Sequence, residues 1–151
     1  MTHFSITVEI PEPIDRVWTI LADIERWPEW TPTVTGIQRL DQGPMAVGSR
    51  FRISQPRLPP TTWQVSELQP GHRFIWITRR PGVCIAGKHR VEPTLQGTRV
   101  VLSLQYSGLI GGLVARLTRG LNQRYLALEA KGLHQRCTAS AGTQRHAPLP
   151  G

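Results

Sequence analysis

Residues 3–23 read HFSITVEIPEPIDRVWTILAD, and the change of period inside this stretch decides the fold. From His3 to Ile10, Phe4, Ile6, Val8 and Ile10 alternate with Ser5, Thr7 and Glu9. That is the period-two signature of a strand with one buried face. Pro11 and Pro13 stop the strand, because neither can donate to a ladder. From about Pro13 to Asp23 the period becomes helical, with Ile14, Val17, Trp18, Leu21 and Ile24 recurring at spacings of three and four. Pro13 suits the first turn of that helix, and Glu12 and Asp15 suit the positive end of its dipole.

The next residues, Trp27-Pro28-Glu29-Trp30-Thr31-Pro32, predict a short second helix opened by Pro28 and closed by Pro32. Six further strands are then expected, at Val34–Leu40, Ser49–Gln55, Thr61–Leu68, Arg73–Thr78, Cys84–Glu92 and Thr98–Ser107. Stacked prolines in Pro56-Arg57-Leu58-Pro59-Pro60 make a stiff loop. Gln69-Pro70-Gly71-His72, Pro81-Gly82 and Gln96-Gly97 are turns by composition.

The last element is one long helix from about Leu109 to Arg136. Leu113, Leu117, Leu121, Leu128 and Gly132 share a stripe on it, joined by Ile110, Val114 and Tyr125. At ~1.5 Å per residue such a helix is roughly 40 Å long and crosses a small sheet. Gly111-Gly112 reads as the bend where the last strand meets it. After Cys137 the periodicity is lost, so the domain is placed at 1–137, followed by a mobile tail at 138–151.

One strand, two short helices, six strands and one long helix define an α+β fold. A seven-stranded antiparallel sheet curls on itself, and its open side needs an apolar cover. The final helix supplies that cover, and an internal cavity is easily left between the two.

The chain has 151 residues, enough for a single domain with a real core, and a formal charge of +8. Residues 1–41 carry seven acids against three arginines, whereas residues 42–151 carry three acids against fifteen basic residues. The arginines lie singly among apolar residues, the pattern of solvent-facing strand positions rather than of a nucleic-acid footprint. No nucleic-acid partner is therefore expected. No run reaches the roughly 20 apolar residues of a membrane span. The start lacks the basic and apolar regions of a signal peptide, and two cysteines make no disulfide scaffold. The expectation is a reduced, cytoplasmic protein, monomeric or homodimeric.

Several motifs resemble the START-like or SRPBCC helix-grip superfamily, which includes the polyketide cyclase/dehydrase-like proteins. They are Val17-Trp18 with Leu21-Ala22-Asp23; Trp27-Pro28-Glu29-Trp30 with Pro32; Val47-Gly48-Ser49; and Gln55-Pro56 with Pro59-Pro60 before Trp63. Pro70-Gly71, His89, Gly97-Thr98, and Tyr125-Leu126 with Glu129-Ala130 complete the set. The likeness runs from Ile6 to about Arg136. It implies the helix-grip fold and a cavity for apolar small molecules such as lipids, sterols or polyketides. It does not imply one reaction, since the superfamily is functionally broad.

Trp18, Trp27 and Trp30 read as core packing that seats the short helices. Trp63 and Trp76 lie on inward strand positions, where a cavity wall needs broad apolar surface with an indole donor. His89 shares the parity of Ile85 and Val91, which makes it either a satisfied core histidine or a polar anchor and general acid/base. Its candidate counterparts are Arg52, Gln55, Cys84, Tyr106 and Glu129. Strand parity turns Arg52 and Cys84 away, and Cys84 reads as an inert thiol. Glu129 is expected to pair with an arginine of the sheet, in preference to the alternative of a catalytic role.

The expected ligand-contacting set is Gln55, Trp63, Trp76, His89, Leu104, Tyr106, Leu117, Leu121 and Tyr125. No metal spacing, P-loop, GxSxG or dinucleotide fingerprint is present, so no metal and no cofactor are expected. The leading expectation is the binding of a small apolar or amphipathic, lipid- or polyketide-like ligand. An alternative is a cyclase/dehydratase in which His89 and Tyr106 move protons during aldol closure and water loss. A second alternative is a chaperone- or ribosome-binding member of the fold.

Overall fold

A computed structural model of the chain describes residues 2–146, with side chains described through residue 139. The strands are β1 (Thr2–Ile10), β2 (Gly36–Arg39), β3 (Arg50–Ser54), β4 (Thr61–Gln69), β5 (Arg73–Arg80), β6 (Val83–Thr94) and β7 (Gly97–Ser107). The helices are α1 (Ile14–Ala22), α2 (Gly111–Leu117) and α3 (Arg119–His146), with a 3-10 segment at Ile24–Glu29. All seven strands form one antiparallel sheet in the order β1-β7-β6-β5-β4-β3-β2. The first strand thus closes on the last, and the chain meanders outward from there. The helix-grip expectation holds.

Alternation places the core as expected. Phe51 and Ile53 of β3, Trp63 and Val65 of β4, and Phe74 and Trp76 of β5 are buried on the inner face. Val91, Val100, Leu102 and Tyr106 continue that face on β6 and β7. Two close approaches hold the helices to it. A Cβ on Gly97 would lie 2.3 Å from the Ile10 carbonyl oxygen, so only glycine lets β7 start beside the end of β1. The Thr98 hydroxyl donates to the Glu12 carbonyl at 2.7 Å and fixes the same junction. At Gly132 a Cβ would sit 2.0 Å from the Trp30 carbonyl oxygen, which brings the 3-10 segment down onto α3.

The long C-terminal helix differs from the expectation in phase and in extent. It breaks at Thr118, whose hydroxyl donates back to the Val114 carbonyl at 2.8 Å, and α3 starts afresh. A stripe laid on Leu113 and Leu117 lands on the wrong side of α2: they are 58% and 76% exposed, whereas Gly111 and Ala115 are buried. The buried stripe is Asn122, Leu126, Ala130, Leu133 and Cys137. The short second helix is also displaced, with Pro28 inside its last turn instead of at its start. The backbone of α3 continues to His146, past the boundary placed at 137. The expectation of a mobile tail lies, for residues 147–151, outside the described residues.

Candidate functional site

Between the inner face of the sheet, α2 and α3 lies a cavity of about 290 Å³. Its deep wall is aromatic and aliphatic, formed by Trp27, Trp63, Trp76, Ile85, Leu102 and Leu126 among others. Its rim lies where the β3–β4 loop, the β5–β6 turn and α2 meet: Pro59 and Arg80 line the cavity and are also exposed. The Tyr125 hydroxyl donates to the Pro56 carbonyl, tying α3 to the β3–β4 loop across this end.

His89 sits on β6 opposite Phe74 of β5, and the two rings stack at 4.1 Å and 8° from parallel. Trp27 and Trp76 approach the imidazole at 5.5 and 5.3 Å between centroids. Enclosure by aromatic rings removes the water that would stabilise an imidazolium. Burial therefore pushes His89 down to about 3, only weakly opposed by the main chain of Phe74, and its Nδ1 is buried without a hydrogen-bond partner. Gly87 makes room beside it, since a Cβ there would lie 2.6 Å from the Trp76 indole nitrogen.

Glu129 faces the same cavity from α3. No arginine among the described residues pairs with it, contrary to the sequence expectation. Its Oε1 instead accepts from the Thr33 hydroxyl at 3.2 Å, and Thr33 is in turn 2.9 Å from the Thr31 hydroxyl. Burial pushes the carboxyl up to about 7, and the single hydroxyl donor offsets only part of that. Strand parity turns Arg50, Arg52 and Arg90 to the outer face, and Arg80, on the inner parity, stays exposed at the rim, where it donates to the Thr61 hydroxyl.

Tyr106 is anchored rather than free. Its hydroxyl donates to Asn122 Oδ1 at 3.1 Å and lies 2.9 Å from Asn122 Nδ2, which also donates to the Thr118 hydroxyl. This network pins the break between α2 and α3 to β7.

Of the residues singled out from sequence, the structure brings Gln55, Trp63, Trp76, His89, Leu104, Tyr106 and Tyr125 to the cavity wall. Leu117 points to solvent and Leu121 is half-buried outside the lining, both for the phase reason given above. Arg52 and Cys84 also stay off the wall. Sequence reasoning missed Trp27, Thr33 and Asn122. Asn122 carried a signal, as the chain's one asparagine, and Glu129 is the one acid after Glu92. Among the described residues no cluster of His, Cys, Asp or Glu has the arrangement to hold a metal, and both cysteines are free.

Residues 1–138 match the family model described as polyketide cyclase / dehydrase and lipid transport. The chain belongs to this family. The polyketide cyclase/dehydrase fold recurs in solved structures at low identity. A Thermobifida fusca protein is similar at a TM-score of 0.77 and 17% identity, over 92% of this chain and 95% of that one. A Thermus thermophilus protein gives 0.73 and 23%, over 93% and 99%. The Zhui aromatase/cyclase from a Streptomyces species gives 0.68 and 18%, over 97% and 96%. At these identities the likeness establishes the fold. No curated protein matches the sequence. No helix among the described residues is long and apolar enough to cross a membrane.

Proposed function

We propose that this family member binds a small, largely apolar molecule carrying a hydrogen-bond-accepting oxygen, held between the sheet and α3. The observation that carries the reading is the cavity itself, an aromatic chamber with one carboxyl at its wall that burial pushes up to about 7. Burial of apolar area, at roughly 25 cal/mol per Å², supplies most of the affinity. Below about pH 7 Glu129 is mainly protonated and donates to a ligand oxygen. Neutral His89 adds an unpaired ring nitrogen to the same chamber. Gln55, Trp63, Trp76, Leu104 and Tyr125 are the remaining proposed contacts.

A test uses 1-tetralone, a bicyclic aromatic ketone, with tetralin as its hydrocarbon counterpart. Quenching of Trp27, Trp63 and Trp76 reports occupancy. Saturable quenching by tetralone, weakened about three- to tenfold in Glu129→Ala while tetralin is little affected, is the expected result. Absence of saturable quenching by either probe sinks the reading.

A second reading, a cyclase or dehydratase, is favoured by one observation: a carboxyl pushed up to about 7 inside a cavity is suited to proton transfer near neutrality. In that reading Glu129 moves the proton. His89, held down to about 3, is a weak base, and the Tyr106 hydroxyl is already engaged by Asn122. Turnover of a polyketide-like chain that survives Glu129→Gln unchanged eliminates it.

A further inference from the structure

Exposed large apolar side chains concentrate in one short stretch at the rim. Leu109 is 100% exposed, Ile110 45%, Leu113 58% and Leu117 76%. At about 100° per residue, Leu113 and Leu117 project from α2 on the side away from Gly111 and Ala115, which are buried. Val114, on the adjoining side, lines the cavity. The Ile110 amide donates to the Gly82 carbonyl at 2.9 Å, so this patch is fastened to the β5–β6 turn at the rim.

Charge at the same end is one-signed. Arg57 lies on the β3–β4 loop, Arg79 and Arg80 at the end of β5, and Arg116 and Arg119 at the α2–α3 break, all exposed. None of the five is ion-paired with a described residue. The segments at this end, the β3–β4 loop at 55–60, the β5–β6 turn at 79–83 and residues 108–119, contain no acid. Protruding leucines at an end that carries arginines without ion-pair partners are complementary to a surface that is apolar within and anionic at its face.

We infer that the rim end of the fold docks on an anionic lipid surface. Leu109, Ile110, Leu113 and Leu117 enter the interface while the arginines engage lipid phosphates. Docking places the cavity opening against the bilayer, so an apolar ligand exchanges between lipid and chamber without crossing water. A folded protein partner is a poorer fit: none of Leu109, Ile110, Leu113 and Leu117 lines the cavity or a second pocket, between β1 and the α2–α3 break, where a partner side chain would seat. This inference uses the ligand-binding reading for its purpose, but its test does not depend on it.

The test is flotation of the full chain with ligand-free vesicles, either pure phosphatidylcholine or about one-third phosphatidylglycerol. Flotation with the anionic vesicles and weak flotation with the neutral ones is expected, decreasing as salt is raised. Leu109→Ser with Leu113→Gln is expected to lower partitioning at least about tenfold, since both side chains leave water on docking. Arg116→Gln with Arg119→Gln is expected to lower it by at least about tenfold as well. None of these four residues lines the cavity, so thermal unfolding and 1-tetralone titration in buffer remain as in the parent protein. Failure to float with anionic vesicles overturns the inference. So does flotation insensitive to the leucine pair, which is bare charge adsorption that an acidic protein would equally produce. Loss of tetralone binding with flotation intact counts against the cavity reading alone.

Discussion

The imidazole of His89 lies flat on the ring of Phe74, 4.1 Å between centroids and 8° from parallel, and the carboxyl of Glu129 borders the same chamber. Burial disfavours the charged form of both groups, but with opposite consequences for stability. His89 falls from 6.5 to about 3, so the unfolded chain binds the extra proton between those values and stability rises with pH across them. Glu129 rises from 4.5 to about 7, so the native state binds the extra proton and stability falls as pH rises across that window.

The two slopes, each up to about 1.4 kcal/mol per pH unit, cancel where the windows overlap. The His89 and Glu129 contributions to urea-unfolding stability should therefore sum to a plateau between about pH 4.5 and 6.5, with a steep loss below it. Glu129→Gln should replace the plateau by a rise with pH, and His89→Phe by a fall. The slope is the readout, so a change in absolute stability from repacking does not obscure it. Parallel profiles for the two variants would refute the assignment.

Ligand affinity should follow Glu129 alone. Tetralone binding is expected to weaken as pH rises through about 7, because an ionised carboxylate no longer donates and resists being covered. In Glu129→Gln the affinity should be flat across the same range. A variant profile identical to that of the parent protein would show that another group controls binding.

Gly132 is the contact point between the 3-10 segment and α3. Its replacement by Ala drives a Cβ to 2.0 Å from the Trp30 carbonyl oxygen, a backbone atom that cannot rotate away. The expected cost is about 2–3 kcal/mol, the upper part of the overpacking range, read from urea midpoints at constant slope. Because Glu129 lies one turn away, its titration should shift as well.

Tyr106→Phe tests whether the hydroxyl is structural. Removing it leaves the buried Asn122 amide short of a partner. A loss of about 1–2 kcal/mol is expected, with tetralone affinity nearly unchanged. A large loss of affinity with intact stability would move Tyr106 into the binding set.

Much of the architecture is visible in the sequence because its signals are local. Alternation in β1, β3, β5 and β7 marks both strand and inward face, and turn residues separate the strands, so seven strands and their antiparallel order follow without knowledge of any partner. The site is only partly visible. Trp63, Trp76, His89 and Tyr106 could be assigned inward because strand parity is rigid. Leu117 and Leu121 were misplaced because helical periodicity alone does not say which side of the helix meets the sheet: the buried side runs through Gly111 and Ala115 to Asn122, Leu126 and Ala130, whose small and polar members do not stand out as an apolar stripe. Trp27 lies in a 3-10 segment too short to show a period, and Thr33 in an irregular connection, so no periodicity orients them.

The amino-acid order by itself determined the element sequence, the buried face of each strand and the presence of a covering helix, since these follow from steric and hydrophobic periodicities a few residues long. Only the tertiary structure decided that Glu129 meets Thr33 and no arginine, and that His89 is stacked on Phe74 with its Nδ1 unpartnered. It also decided that the leucines before Thr118 stand in solvent beside the rim. Each depends on distances between residues far apart in the chain, and on how much water remains once they meet. Those two quantities set a carboxyl at about 7 and an imidazole at about 3 in one chamber.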